Sequence, residues 1–170
     1  MSAHAENLAA VRSSYEAFGR GDLDGALAMM DEGIVWHQAQ GLAHGGIYHG
    51  LPAVRAAVFD PLDEQWWEDF DAVPSEILGG DDHVVVLGRY TARAKASGKP
   101  LDVPFAHVWK FADGKAVRFN QFTDTRALVL STSFLVLGLQ ILSAVLFISI
   151  FSGRLSRMLE EGAAAKSGAS

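Results

Sequence analysis

The spacing of apolar residues changes near residue 67, from a helical period to the alternation of a sheet. Before that point, Leu8, Val11, Tyr15 and Phe18 recur at helical spacing and predict a helix over 6–18. Gly19 and Gly21 stop it, and Asp22 caps a second helix with Leu23, Leu27 and Met30 as its buried stripe. Residues 34–38, IVWHQ, form a first strand, and 41–50, with four glycines and two histidines, form a loop or irregular strand. Pro52 suits the first turn of a third helix carrying Leu51, Val54, Val58 and Leu62.

After residue 67 the pattern predicts strands over 70–78 and 83–95, with turns at 79–82 and 97–100. Pro74 makes the first of these a weakened strand or one at a sheet edge. A hairpin follows over 105–124. Phe105, His107, Trp109 and Phe111 alternate with Ala106, Val108 and Lys110, so one face is bulky. A three-residue turn, Ala112-Asp113-Gly114, would pair Phe111 with Lys115, Trp109 with Val117, His107 with Phe119 and Phe105 with Gln121. The bulky face then continues through Val117, Phe119 and Gln121. This order predicts an α+β domain, with three N-terminal helices packed on a curved antiparallel sheet. His107 and Gln121 are polar groups in an aromatic wall, which is either a satisfied core or a ligand pocket.

Residues 127–151 carry no charge. As a helix they would reach ~37 Å, enough to cross a ~30 Å hydrocarbon layer. The chain thus divides into a domain over 1–126, an apolar helix over 127–153 that reads as a transmembrane anchor, and a polar tail over 154–170. Basic residues flank the apolar run on both sides, so charge does not orient it. The start of the chain lacks the pattern of a signal peptide, which favours a single C-terminal span with the domain on the cytoplasmic side.

Net charge is -6, and the tail holds three basic and two acidic residues, so residues 1–126 carry -7. An acidic domain without a basic stripe is a poor partner for nucleic acid. There are no cysteines, which excludes disulfides, thiolate metal sites and a thiol nucleophile. His44 and His49 lack a third ligand at suggestive spacing, so no metal site is expected. Phosphate loops, dinucleotide fingerprints and serine nucleophile elbows are absent, and no cofactor is expected. Trp66 and Trp67, among acidic residues, read as a lid or interface patch.

Several segments in order resemble the SnoaL-like, ketosteroid-isomerase-like branch of the nuclear transport factor 2 (NTF2) superfamily. They are Tyr15-Glu16-Ala17-Phe18 with Gly21-Asp22, then Val35-Trp36-His37, then Tyr48-His49-Gly50 leading into Ala53-Val54. His107-Val108-Trp109 with Asp113-Gly114-Lys115, and Phe122-Thr123-Asp124-Thr125, complete the pattern over residues 5–126. The resemblance implies a cone-like sheet around an apolar pocket, and a homodimer formed through the outer face of the sheet. Members usually end soon after the last strand, so the apolar tail departs from the pattern and would tether the domain to a membrane or a larger membrane assembly.

The resemblance also implies a cofactor-independent isomerase, cyclase or lyase acting on an apolar, cyclic or polyketide-like molecule. In that reading Asp124, near the end of the sheet, is the base, and His107 is an acid or relay. Gln121 or Tyr15 would hold a developing oxyanion. Strict alternation from Gln121 puts Asp124 on the other face, so it reaches the pocket only through a bulge; otherwise it caps a following helix. Trp36, Phe105, Trp109 and Phe119 are wall residues, and His37, of opposite parity to Trp36, is a weaker candidate. The alternative function is a ligand-binding or dimerising module without catalysis, since the fold alone does not decide.

Overall fold

The computed structural model describes residues 2–40 and 44–124. The predicted tail helix and polar terminus lie outside these residues. Among the described residues, no helix is long and apolar enough to cross a membrane.

The first helix, α1, runs Ala3–Gly19. Its predicted stripe faces inward: Val11 and Tyr15 are buried, and Leu8 and Phe18 are half-buried. Arg20 closes it, and Gly21 follows at φ +75°, a left-handed position suited to glycine. Asp22 then caps α2, Leu23–Leu27, by accepting from the Gly25 amide at 2.8 Å. Met30 does not belong to this helix. It opens strand β1, Met30–Gln38, whose buried residues include Ile34, Trp36 and Gln38. Part of the glycine-rich segment pairs with β1 as β2, Gly46–His49.

The third helix, α3, spans only Leu51–Val54 in regular form, with Pro52 in its first turn. It continues as wider π turns over Arg55–Phe59 and Leu62–Trp66. Val54, Val58 and Leu62 are buried as the periodicity predicts.

Four strands follow: β3 (Trp67–Gly79), β4 (His83–Ala94), β5 (Pro100–Ala112) and β6 (Lys115–Thr123). The curved, unclosed sheet is ordered β2-β1-β6-β5-β4-β3. Pro74 does lie on an edge strand, beside a register shift between Pro74 and Glu76. The sheet is not wholly antiparallel, because β1 pairs parallel to β6. This parallel seam places Trp36 beside Phe119 in the middle of the sheet.

The β5–β6 register differs from the predicted one in two places. Asp113 and Gly114 both have positive φ, 49° and 75°, and turn the chain in two residues, so Ala112 pairs with Lys115. A bulge between Lys110 and Phe111 adds a second one-residue shift. His107 therefore faces Gln121, and Trp109 faces Phe119. Two single shifts restore parity, so Phe119 and Gln121 stay on the inner face. Before the bulge, Ala116 is the buried residue and Val117 is only half-buried.

Helix α1 packs against β3. Its start is pinned to the β3–β4 turn by Asn7, whose Nδ2 donates to the Asp81 carbonyl at 3.1 Å. This covers one face of the sheet and leaves a cavity between helices and strands.

Candidate functional site

The cavity has a volume of about 190 Å³ and a mostly apolar, aromatic lining. Trp36 comes from β1, Trp109 from β5 and Phe119 from β6. Trp36 stacks on Phe119 with ring centroids 3.7 Å apart, and meets Trp109 edge-on at 5.7 Å. Phe59, Leu62 and Trp66 close the helix side, with Trp67 and Phe70 from β3. Trp67 is thus buried in the wall, while Trp66 lines the cavity and is also exposed.

Polar groups converge at one end. His107 sits on β5 with its ring stacked on Phe105 at 4.0 Å. The Tyr15 hydroxyl, from α1, bonds to His107 Nδ1, and the Tyr90 hydroxyl, from β4, bonds to Nε2. Trp109 Nε1 donates to the Tyr15 oxygen at 3.3 Å. Gln121 Nε2 donates to the Tyr90 oxygen at 2.5 Å, while its Oε1 accepts from the Ala39 amide at 3.0 Å. A backbone amide can only donate, so this last bond fixes which way the Gln121 amide points. A little apart, Gln38 Oε1 accepts from Trp36 Nε1 at 2.7 Å.

Burial sets the electrostatics. It pushes the His107 imidazole down to about 3, so the ring is neutral at physiological pH. It raises both tyrosines: Tyr90 despite the Gln121 bond, and Tyr15 despite the Trp109 bond. His44, also on the lining, is lowered by burial. The cluster is therefore uncharged and rich in hydroxyl and amide groups. Such a set can hold and polarise a ligand oxygen and pass protons between neutral partners.

The structure gathers Tyr15, Trp36, His107, Trp109, Phe119 and Gln121 around this cavity. Phe105 is buried behind His107 and does not line it. His37 lies on the opposite face of β1, in a shallow cleft with Asn120 and Phe122. Asp124 is exposed past the end of β6 and does not line the cavity, as strict alternation implies. Among the described residues no carboxylate lines it. Sequence reasoning passed over Tyr90 and Gln38. Parity marks both: Tyr90 shares its face of β4 with Val84 and Val86, and Gln38 shares that of Trp36.

The SnoaL-like domain family matches residues 11–119. An NTF2-like protein of unknown function from Burkholderia pseudomallei is similar at 32% identity and TM-score 0.68, over 76% of this chain and 96% of that one. An NTF2-like protein from Burkholderia thailandensis is 28% identical with TM-score 0.70, over 74% and 96%. TerC, co-crystallised with polyporic acid, is 26% identical with TM-score 0.65, over 72% and 95%. No curated protein matches the chain.

Proposed function

The chain belongs to the SnoaL-like domain family, and from this we propose that it binds an apolar, ring-bearing small molecule and acts on it as an isomerase, cyclase or lyase. The observation that carries the reading is an aromatic cavity whose polar groups, Tyr15, His107, Tyr90 and Gln121, meet at one end. That polarity pattern holds a ring in the apolar part and directs a ligand oxygen to the hydroxyls. The relative crystallised with polyporic acid supports a ligand of this general kind. Tyr15 or Tyr90 would donate to the ligand oxygen and polarise its carbonyl, and His107 would pass a hydroxyl proton between the two tyrosines.

The test is a screen of bicyclic and tricyclic ketones for binding, read by quenching of Trp36 and Trp109 fluorescence, followed by assay for proton exchange next to the carbonyl. Tyr15→Phe or Tyr90→Phe should lower turnover roughly 10²-fold. Asp124→Asn should leave it unchanged, because that carboxylate is off the cavity. Turnover lost in Asp124→Asn alone would restore the base role for Asp124, with the end of β6 bending inward. Binding without any turnover would support the second reading, a ligand-binding module.

The uncharged run at 127–151 supports a further part of the proposal, that the domain is tethered to a membrane. A homodimer through the outer sheet face, where Ile47 and Phe122 are exposed, belongs to the same proposal. Sedimentation of residues 1–126 tests it.

A further inference from the structure

We propose that the Tyr15–His107–Tyr90 chain holds one hydroxyl hydrogen more than its own bonds use, and that the site presents it to a single oxygen acceptor on the ligand. This deepens the ligand-binding reading above and rests on it. A neutral imidazole brings one N–H and one bare nitrogen, and each tyrosine brings one O–H. Three hydrogens thus serve two links, Tyr15 to Nδ1 and Tyr90 to Nε2. One hydrogen is always left over.

The neighbours decide where it goes. Trp109 Nε1 is a donor only, so it cannot accept the Tyr15 hydrogen. The Gln121 amide is locked with its nitrogen toward Tyr90, because its oxygen faces the Ala39 amide. It too can only donate there. When Nδ1 carries the proton, Tyr15 accepts from both His107 and Trp109, and its own O–H is spare. When Nε2 carries it, Tyr90 accepts from both His107 and Gln121, and the spare O–H is there. Both tyrosines line the cavity. The site is therefore an either-or donor: it serves one oxygen at a time, at either end, and the ring's tautomer selects which. Carbonyl compounds fit this arrangement, since their oxygen accepts and brings no hydrogen of its own, whereas a ligand offering only N–H donors at that end does not.

Size narrows the class. A dry apolar cavity of ~150 Å³ accepts benzene, so one of about 190 Å³ suits a compact bicyclic ketone. The experiment uses 1-tetralone, labelled with ¹³C at its carbonyl, and naphthalene as the ring without oxygen. Both should bind the full-length chain in detergent. The bound carbonyl resonance should lie downfield of its position in hexane. Replacing both hydroxyls, Tyr15→Phe with Tyr90→Phe, should weaken 1-tetralone about 3- to 10-fold and leave naphthalene within about 2-fold. Failure of both probes to bind overturns the ligand reading and this one together. Binding with the carbonyl resonance at its hexane position overturns this one alone. Should the double variant not fold, the ¹⁵N resonances of His107 in the wild-type chain decide. One protonated and one bare nitrogen at pH 7, with their populations redistributed by 1-tetralone, is the expected result. Two protonated nitrogens would break the hydrogen count and end the proposal.

Discussion

At the scale of the residue, His107 is hydrogen-bonded at both ring nitrogens. It is buried between two hydroxyls, and burial holds its pKa at about 3, below the unfolded value near 6.5. The unfolded chain therefore binds more protons than the folded one between these values. Stability from this group is complete above pH ~6.5 and falls as pH drops toward 3, by up to about 1.4 kcal/mol per pH unit. Urea unfolding at pH 7 and pH 4.5 should show a steeper acid loss in wild type than in His107→Gln, which keeps a donor and an acceptor but does not titrate. His44, also lowered by burial, contributes with the same sign in both proteins and drops out of the comparison. Equal acid sensitivity in the two would mean the imidazole is not held neutral. Tyr90→Phe should cost about 1–3 kcal/mol in the same assay, since it leaves the Gln121 amide and His107 Nε2 without their buried partner.

At the scale of the element, the position of His107 depends on a close approach between strands. Phe105, stacked on the imidazole, lies over Gly88 of β4. A Cβ there would stand 2.4 Å from the Val73 carbonyl oxygen and 2.5 Å from Phe105 Cζ. The first contact is with backbone and cannot be relieved by a rotamer change. Gly88→Ala should destabilise the domain by about 1–3 kcal/mol and displace the Phe105–His107 stack. Thermal melts together with the ring-proton shifts of His107 would register both effects; an unshifted ring would show that β3 yields instead. Strand faces were legible in the sequence because alternation depends only on parity. The β5–β6 pairing was not, since neither the two-residue turn at Asp113-Gly114 nor the bulge near Phe111 alters the run of apolar residues. The third helix illustrates the same division. Val54, Val58 and Leu62 were correctly read as buried, yet the widening to π turns left no trace in their spacing.

At the scale of the whole molecule, the family match spans residues 11–119 and stops short of the uncharged run. A chain ending at residue 126 should therefore fold and bind 1-tetralone as the full-length protein does. It should also remain monodisperse without detergent, whereas the full-length chain should need detergent for extraction. Full-length protein that is monodisperse in plain buffer would dismiss the membrane tether while leaving the pocket untouched.

The sequence alone determined the class of fold, the narrowing of the Pro74 strand to a weak or edge position, the inward faces of β1 and β5 and the aromatic character of the wall. Each of these follows from local chemistry: a spacing, a missing amide hydrogen, a run of ring side chains. The sequence also contained the reason Asp124 stands outside the cavity, in its odd separation from Gln121. Folding in three dimensions was needed to bring Tyr15, Tyr90, Trp109 and Gln121 together around His107. These residues come from a helix and three strands, and no spacing along a chain encodes which hydroxyl will meet which ring nitrogen. That depends on how the helix lies on the sheet and on the register between strands, which are fixed by packing over the whole domain.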